Sequence, residues 1–292
     1  MSSHYEIRKM RRDELDFAIE LAAKEGWNPG IYDADCFYSV DSDGFLIGLL
    51  DGQPISCISV VKYANNYSFL GFYIVKEGYR DKGYGYKIWQ EGMAYLDEYN
   101  IGLDGVLEQV DKYKNSGFEL SHENARYMGY STPDSDRSSE RIINLRDIPI
   151  EMLTAYDTDV FKSKRQKFLE LWISRPETIS LGIRDANDST VLSGYGVIRK
   201  CREGYKVGPL FANSYEDARL LFSGLTGQFS KPTQIFIDVL AEEKNPNALQ
   251  LTQEHNMSKV FSTARMYHMA NPHHQMELPL EKWFGVTTFE LG

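Results

Sequence analysis

Short apolar runs separated by turn residues fill the first 130 residues, and their spacing predicts an ordered series of elements. "HYEIRKM" (4–10) alternates and predicts a first strand. Leu15, Ile19 and Ala22 recur at helical spacing as far as Gly26, with Asp13 placed to cap that helix. "WNPGIYD" is a turn-rich loop, and "DADCFYSV" predicts a second short helix. The apolar runs "FLIGLL" and "ISCISVVKYA" are joined by Asp51-Gly52, a hairpin signal, and Asn65-Asn66 makes another turn before "YSFLGFYIV". Connections this short demand antiparallel neighbours. Further on, Ile88, Met93, Leu96 and Tyr99 share one helical face. "LDGVLEQV" predicts a strand, and "DKYKNSGFELSHENARYMGY" a short helix, a glycine turn and a strand.

"STPDSDRSSER" (131–141) has almost no apolar residue and marks the domain boundary. The expected division is residues 1–131, a linker at 132–141, and a second domain at 142–292. The second half predicts a helix over about 151–173 and strands "ISLGIR", "VLSGYGVIR" and "YKVGPLFA". A helix near 215–229, strand "QIFIDVL", a helix near 246–255 and strand "VFSTARMYHM" follow. This order repeats the first half. Gly117-Phe118 precedes Ala125-Arg126 by the interval that separates Asn256-Met257 from Ala264-Arg265. The halves therefore read as a diverged duplication.

Composition narrows the classes. The chain has 292 residues, 42% hydrophobic and 25% charged, as in ordinary globular proteins. No apolar run is long enough for a membrane span, and "MSSHYEIRKMRRDELDF" lacks a signal-peptide core, so a cytoplasmic protein without a membrane partner is expected, with the nucleus as the other compartment left open. Asn66-Tyr67-Ser68 and Asn187-Asp188-Ser189 fit the glycosylation pattern but should stay bare without export. The net charge of −10 disfavours nucleic acid and mildly favours a cationic or amine substrate. Cys36, Cys57 and Cys201 are too few and too dispersed for a disulfide framework or a zinc cluster, and their apolar settings place them in the core. His273-His274 lacks ligand partners nearby, so no metal is expected. "KSKRQK" (162–167) reads as the wet face of a helix.

The chemistry concentrates in "YIVKEGYRDKGYGYKIW" (73–89), where a strand hands over to a helix through Arg80-x-x-Gly83-x-Gly85. Glycines there permit close backbone approach, and a helix start offers unpaired N–H groups and a positive dipole end. Such a site suits phosphate, each charge gaining roughly 0.3–1 kcal/mol. Arg80, Lys82 and Lys87 add cations. A dinucleotide fingerprint would need glycine where Ile88 stands, and a P-loop would follow Gly83 with Lys and Ser/Thr, where Tyr84 and Gly85 occur. No Gly-x-Ser-x-Gly elbow occurs.

"IVKEGYRDKGYGYKIW" resembles the acetyl-CoA signature of the GNAT superfamily of N-acetyltransferases, and "KYKNSGF" resembles its second signature. Residues 4–131 follow that family's element order, and the second half resembles the smaller GNAT-like domain found C-terminal to some of its members. The resemblance implies an α+β fold with a mixed sheet: two tandem GNAT-like domains, the second degenerate. The strand ending at Val75 should splay from "GVLEQV", with the pantetheine arm of acetyl-CoA beside Tyr73, Ile74 and Val75. The pyrophosphate would lie on the amides of Arg80, Asp81, Lys82, Gly83, Tyr84 and Gly85. Tyr113 matches the position of the family's general acid. A tyrosine near pKa 10 facing a thiol near 8.5 makes full proton transfer uphill by roughly 2 kcal/mol, so hydrogen bonding to the thiolate is an equal alternative.

Some members carry a Glu on the long central strand, but "YSFLGFYIV" has no carboxylate. Glu108, on the adjacent strand, is the substitute expected here. Asp33, Asp35, Glu123 or no dedicated base remain open. Trp27, Tyr32 and Asp35, with Phe37, are expected to shape the acceptor pocket. The second half has "YKVGPLFANS" in place of the glycine turn, and Thr252 in place of Tyr113, so one acetyl-CoA site is expected. The implied activity is acetyl transfer to a small-molecule amine or a lysine-bearing substrate, with a homodimer left open. The alternatives are a non-catalytic acyl-CoA-binding module and an enzyme using a longer acyl-CoA.

Overall fold

Each alternating run becomes a strand, and all thirteen strands of the described residues join one sheet. The structure is a computed structural model and describes residues 4–132, 139–270 and 277–292. His273-His274 and the middle of the proposed linker lie outside those residues. The first half supplies β1 (Tyr5–Lys9), α1 (Leu15–Lys24), α2 (Asp33–Tyr38), β2 (Phe45–Leu50), β3 (Gln53–Lys62), β4 (Tyr67–Val75), α3 (Tyr84–Tyr95), β5 (Asn100–Val106), α4 (Val110–Asn115) and β6 (Glu119–Tyr130). The second half repeats this with β7 (Ile142–Asn144), α5 (Ile150–Phe161), α6 (Gln166–Ser174), β8 (Thr178–Arg184), β9 (Leu192–Lys200), β10 (Tyr205–Ala212), α7 (Tyr215–Thr226), β11 (Gln234–Leu240), α8 (Pro246–Glu254) and β12 (Ser258–His268). A thirteenth strand, β13 (Trp283–Gly285), has no counterpart in the first half.

The strand order is β1-β2-β3-β4-β5-β12-β6-β11-β10-β9-β8-β7, symmetric about the β12/β6 junction. Each half thus lends its last long strand to the other: β12 pairs with β5, and β6 pairs with β11. The repeated Ala-Arg words lie on these exchanged strands. Arg126 on β6 forms a bidentate pair with Asp238 on β11, at 2.7 and 2.9 Å. Arg265 on β12 does the same with Asp104 on β5, at 2.9 and 2.6 Å. All four side chains are at most 3% exposed. Burial disfavours such charges unless both are paired, so each arginine fixes its strand's register opposite one aspartate. The chain division and the structural division therefore differ: β6, read as part of the first domain, forms its backbone ladders with β11 and β12 of the second half.

One large apolar cluster crosses between the halves, with Phe37 of α2 stacked on Trp172 of α6. Cys36, Cys57 and Cys201 are fully buried, as expected. Two local expectations change. Asp13 caps no helix; a 3-10 turn (Arg12–Glu14) precedes α1, and the Glu14 carboxylate accepts from the Arg11 amide at 2.9 Å. The helix expected over 151–173 breaks at Lys162, which is left-handed at φ 64°. "KSKRQK" is accordingly not a wet helical face. Arg165 within it is buried, paired with Asp157 at 2.8 Å, and lies over the Phe161 ring.

Candidate active site

β4 and β5 are parallel neighbours only from Tyr67–Asn100 to Leu70–Leu103. Beyond those pairs they diverge, as the sequence implied. The gap is a cleft of about 580 Å³, the size of a small-molecule site. On its β4 wall Phe72 and Tyr73 together oppose Ile58 of β3. Phe72 sits at φ 45°, a backbone state a bulky residue adopts only when its surroundings force it. This bulge interrupts the ladder to β3 and turns β4 backbone toward the cleft.

The glycine turn sits at the cleft's mouth. Gly83, at φ 82°, occupies the N-cap of α3. It has no side chain to cap the helix, and no acidic residue stands in the first turn. The N-terminal amides of a twelve-residue helix are thus left for a ligand. Tyr73, Ile74, Val75, Arg80, Asp81, Gly83 and Gly85 all line the cleft. Lys82 and Tyr84 do not: the Lys82 ammonium donates to the Gly78 carbonyl at 2.7 Å, and the Tyr84 carbonyl accepts from the Tyr5 hydroxyl. Arg80 donates to the Val75 carbonyl at 2.9 Å and is ion-paired with Glu25.

Tyr113 on α4 lines the cleft opposite this loop. Its ring lies over Gly105, where any side chain would overlap it, and packs against Trp89 and Phe118. Its hydroxyl has no hydrogen-bond partner among the described residues. Burial, with a smaller contribution from Tyr73, raises the Tyr113 pKa above the ordinary tyrosine value. That shift makes it a poorer acid and leaves it a protonated hydrogen-bond donor at neutral pH.

The other expected residues divide. Trp27 lines the cleft, and its carbonyl accepts from Arg126 at 2.6 Å. Tyr32 is exposed, and Asp35 is exposed and paired with Arg12, so neither reaches the cleft. Phe37 is core. Glu108 stands on a 3-10 turn (Leu107–Gln109) after β5 has ended, exposed and outside the lining. The strand expected to carry it stops at Val106 because the chain turns there toward α4. Glu123 is exposed, and Asp33 is buried in a cluster with Arg175 and Arg199.

The cleft is also lined by residues the sequence did not single out: Asp104, Phe261, Thr263, Phe289 and Glu290. The last two belong to a tail that threads between the halves, every residue from Trp283 to Gly292 being buried. The Leu291 carbonyl accepts from the Tyr63 hydroxyl at 2.9 Å. The Glu290 carbonyl presses on Gly71 of β4, where any Cβ would overlap it. The one signal for this in the sequence is an acid embedded in the final run "VTTFELG". Among the described residues no cluster of metal-binding side chains occurs, and no helix is long and apolar enough to cross a membrane.

The site is thus a split parallel pair with a bulged wall and an uncapped helix start at its mouth. Comparison with known proteins supplies the family. Residues 7–116 match the model of the acetyltransferase (GNAT) family, and residues 153–279 match that of an acetyltransferase (GNAT) domain. The chain belongs to the GNAT acyltransferases and carries two GNAT domains in tandem. It is 28% identical to the holothin acyltransferase of a Pseudoalteromonas species over 280 residues, 96% of this chain and 92% of that protein. A solved Pyrococcus horikoshii protein assigned as an acetyltransferase superposes with a TM-score of 0.80 at 20% identity, covering 99% of this chain and 96% of that one. A tandem GNAT protein from the clavulanic acid biosynthesis pathway superposes with a TM-score of 0.61 at 10% identity, covering 92% and 99%.

Proposed function

We propose that this protein is an N-acetyltransferase that takes the acetyl group of acetyl-CoA and delivers it to a small primary amine by direct attack on the thioester. The observation that carries this reading is the divergence of β4 from β5 with the uncapped Gly83 helix start at its mouth. The diphosphate would rest on the amides following Gly83, and the pantetheine arm on the β4 edge from Tyr73 to Val75. The bulge at Phe72 would present backbone N–H to the thioester oxygen as negative charge develops there. Tyr113 would donate a hydrogen bond to the departing thiolate.

A small acceptor is favoured over a lysine on a folded protein because Trp27, Phe261 and Phe289 line a cleft of about 580 Å³. The relative named for acylating holothin supports acyl transfer as the reaction. Calorimetry with coenzyme A, followed by thiol release from acetyl-CoA and longer acyl-CoAs over a panel of polyamines, arylalkylamines, amino acids and lysine peptides, tests it. Binding with turnover on a small amine is expected. Tight binding with silence over the whole panel would favour a non-catalytic acyl-CoA sensor.

A further inference from the structure

β4 carries no carboxylate, but a residue from the far end of the chain brings one to the cleft lining. Four carboxylates line the cleft: Glu25, Asp81, Asp104 and Glu290. Glu25 is held by Arg80 at the mouth, and Asp81 belongs to the loop there. Asp104 is gripped by both arms of the Arg265 guanidinium. Glu290 differs in two ways. Its backbone lies against Gly71, one residue before the bulge at Phe72. It is also only 3% exposed, yet its Oε1 accepts no hydrogen bond from any described residue. An ionised oxygen buried without a donor is costly, and on a residue that lines a ligand cleft a ligand can complete it.

We propose that Glu290 is the group that receives the amine's proton, so that the acceptor's nitrogen is held between this carboxylate and the thioester. The inference rests on the acetyltransferase reading above. The nitrogen lone pair of the neutral amine forms the new bond to the thioester carbonyl carbon. The C–S bond breaks, and the CoA thiolate leaves with its electron pair, hydrogen-bonded by Tyr113. The nitrogen's proton passes to Glu290 and on to water, and water protonates the thiolate, which closes the balance.

The surroundings suit a base. Burial raises the Glu290 pKa, while Lys206 of β10, Arg126 of β6 and Arg199 of β9 pull it back and Asp33 of α2 adds to the rise. Asp238 of β11 pairs with Arg126 behind it, and Asp104 of β5 and Tyr113 of α4 face the same cleft. A carboxylate moved toward neutrality is better matched to proton transfer at physiological pH than an exposed one. The base would then come from the degenerate half and the donor site from the other, which makes neither half complete alone.

The test is Glu290→Gln and Glu290→Asp in the full chain, with acetyl-CoA and the best amine of the panel. Glu290→Gln should lower kcat about 100-fold or more and abolish the acid limb of the pH–rate profile, with the acetyl-CoA Kd within about twofold of wild type. Glu290→Asp, which keeps the charge one methylene back, should recover part of the rate. A Gln variant with wild-type turnover and pH profile overturns the inference. So does one that loses acetyl-CoA affinity or is matched in rate by the Asp variant, since both mean a structural role. A wild type that binds no acetyl-CoA, or never turns over, overturns the acetyltransferase reading and this inference with it.

Discussion

The two halves of this chain build the same cleft and treat it in opposite ways. In the first half β4 and β5 part after Leu70 and Leu103, and the gap stays open. In the second half β10 and β11 are paired only from Tyr205–Ile235 to Val207–Ile237, and then they also part. There the gap is filled. β13 pairs with β10 at Leu210 and Phe211, and the Val286 amide donates to the Asp238 carbonyl of β11 at 2.9 Å. The helix starts differ in the same sense. α3 begins at a bare left-handed glycine, whereas α7 begins at Ser214, whose hydroxyl accepts from the Asp217 amide at 3.2 Å, with Glu216 and Asp217 in its first turn. The two halves share one scaffold, and a few residues at two places make one helix start bare and the other capped. The same tail that plugs the second cleft then runs on to line the first.

The strongest way to test the equivalence of the halves is through the exchanged strands. Asp238→Ala leaves Arg126 buried without its partner, and Asp104→Ala does the same to Arg265. Breaking a buried pair from one side costs about 3–5 kcal/mol, so each variant should lose more than about 6 °C in Tm. Chemical denaturation should give similar losses for the two. A difference above about 2 kcal/mol would show that only one of the exchanges holds the molecule together.

Gly83→Asp attacks the difference between the halves. No atom lies within 4 Å of a Cβ at Gly83, so the change costs backbone strain rather than a clash. An L-residue at φ 82° costs roughly 1–2 kcal/mol, and a carboxylate at the helix start opposes a diphosphate by up to about 2 kcal/mol. The strain falls on Tm and is common to the free and bound states, whereas the repulsion of up to about 2 kcal/mol raises the coenzyme A Kd measured by calorimetry by up to about 30-fold. Wild type should bind one equivalent per chain. Two equivalents would mean that the plugged cleft is not closed.

Much of this was legible before the structure. Strands and helices announced themselves through period and turn chemistry: Asp51-Gly52 and Asn65-Asn66 both take the left-handed turn conformations their identities demand. The turn into α3 was legible because a glycine pair between an apolar run and a helical period marks a strand-to-helix junction, and the structure has Gly83 at the α3 N-cap. The exchange of β6 and β12 was not, because hydrophobic alternation reports that a residue pairs, never with which strand. The repeated Ala-Arg words were visible, but the aspartate of Arg126 lies 112 residues after it and that of Arg265 lies 161 residues before it, and only the register joins them. Glu290 was illegible for a related reason. Its position depends on where the tail is threaded, and a single acid among "VTTFELG" carries no period. Glu108 misled because the apolar run "LDGVLEQV" continues past the point where the chain leaves the sheet.

Tyr113→Phe probes chemistry without touching the donor site. The hydroxyl has no partner within the described residues, so its removal should leave Tm and the acetyl-CoA Kd unchanged. A hydrogen bond to a developing thiolate is worth about 1.5–3 kcal/mol, so turnover should fall about 10- to 100-fold. Because burial has already raised the Tyr113 pKa, no basic limb from this residue should appear below the ordinary tyrosine range. Turnover equal to wild type on the best amine would remove Tyr113 from the mechanism. Thr252 occupies the corresponding place in the second half, buried with its hydroxyl donating to the Leu249 carbonyl at 2.8 Å.

The smallest effect separates the two devices that close the second cleft. Ser214→Ala removes the α7 cap and should cost about 1 kcal/mol, a Tm loss of about 2–4 °C. It frees one amide at the helix start. It does not make a diphosphate site, because the Asp217 carboxylate stays in place, accepting from Ser193 at 2.5 Å and paired with Arg141 at 2.8 Å. β13 also still lies in the gap, with Trp283 and Phe284 at 2% and 1% exposure. Calorimetry on this variant should therefore still give one coenzyme A per chain. A second equivalent would mean that the serine cap alone had kept the site closed. In that case the tail would be present for the sake of the first cleft, where Phe289 and Glu290 reach the lining, and the filling of the second would be incidental to it.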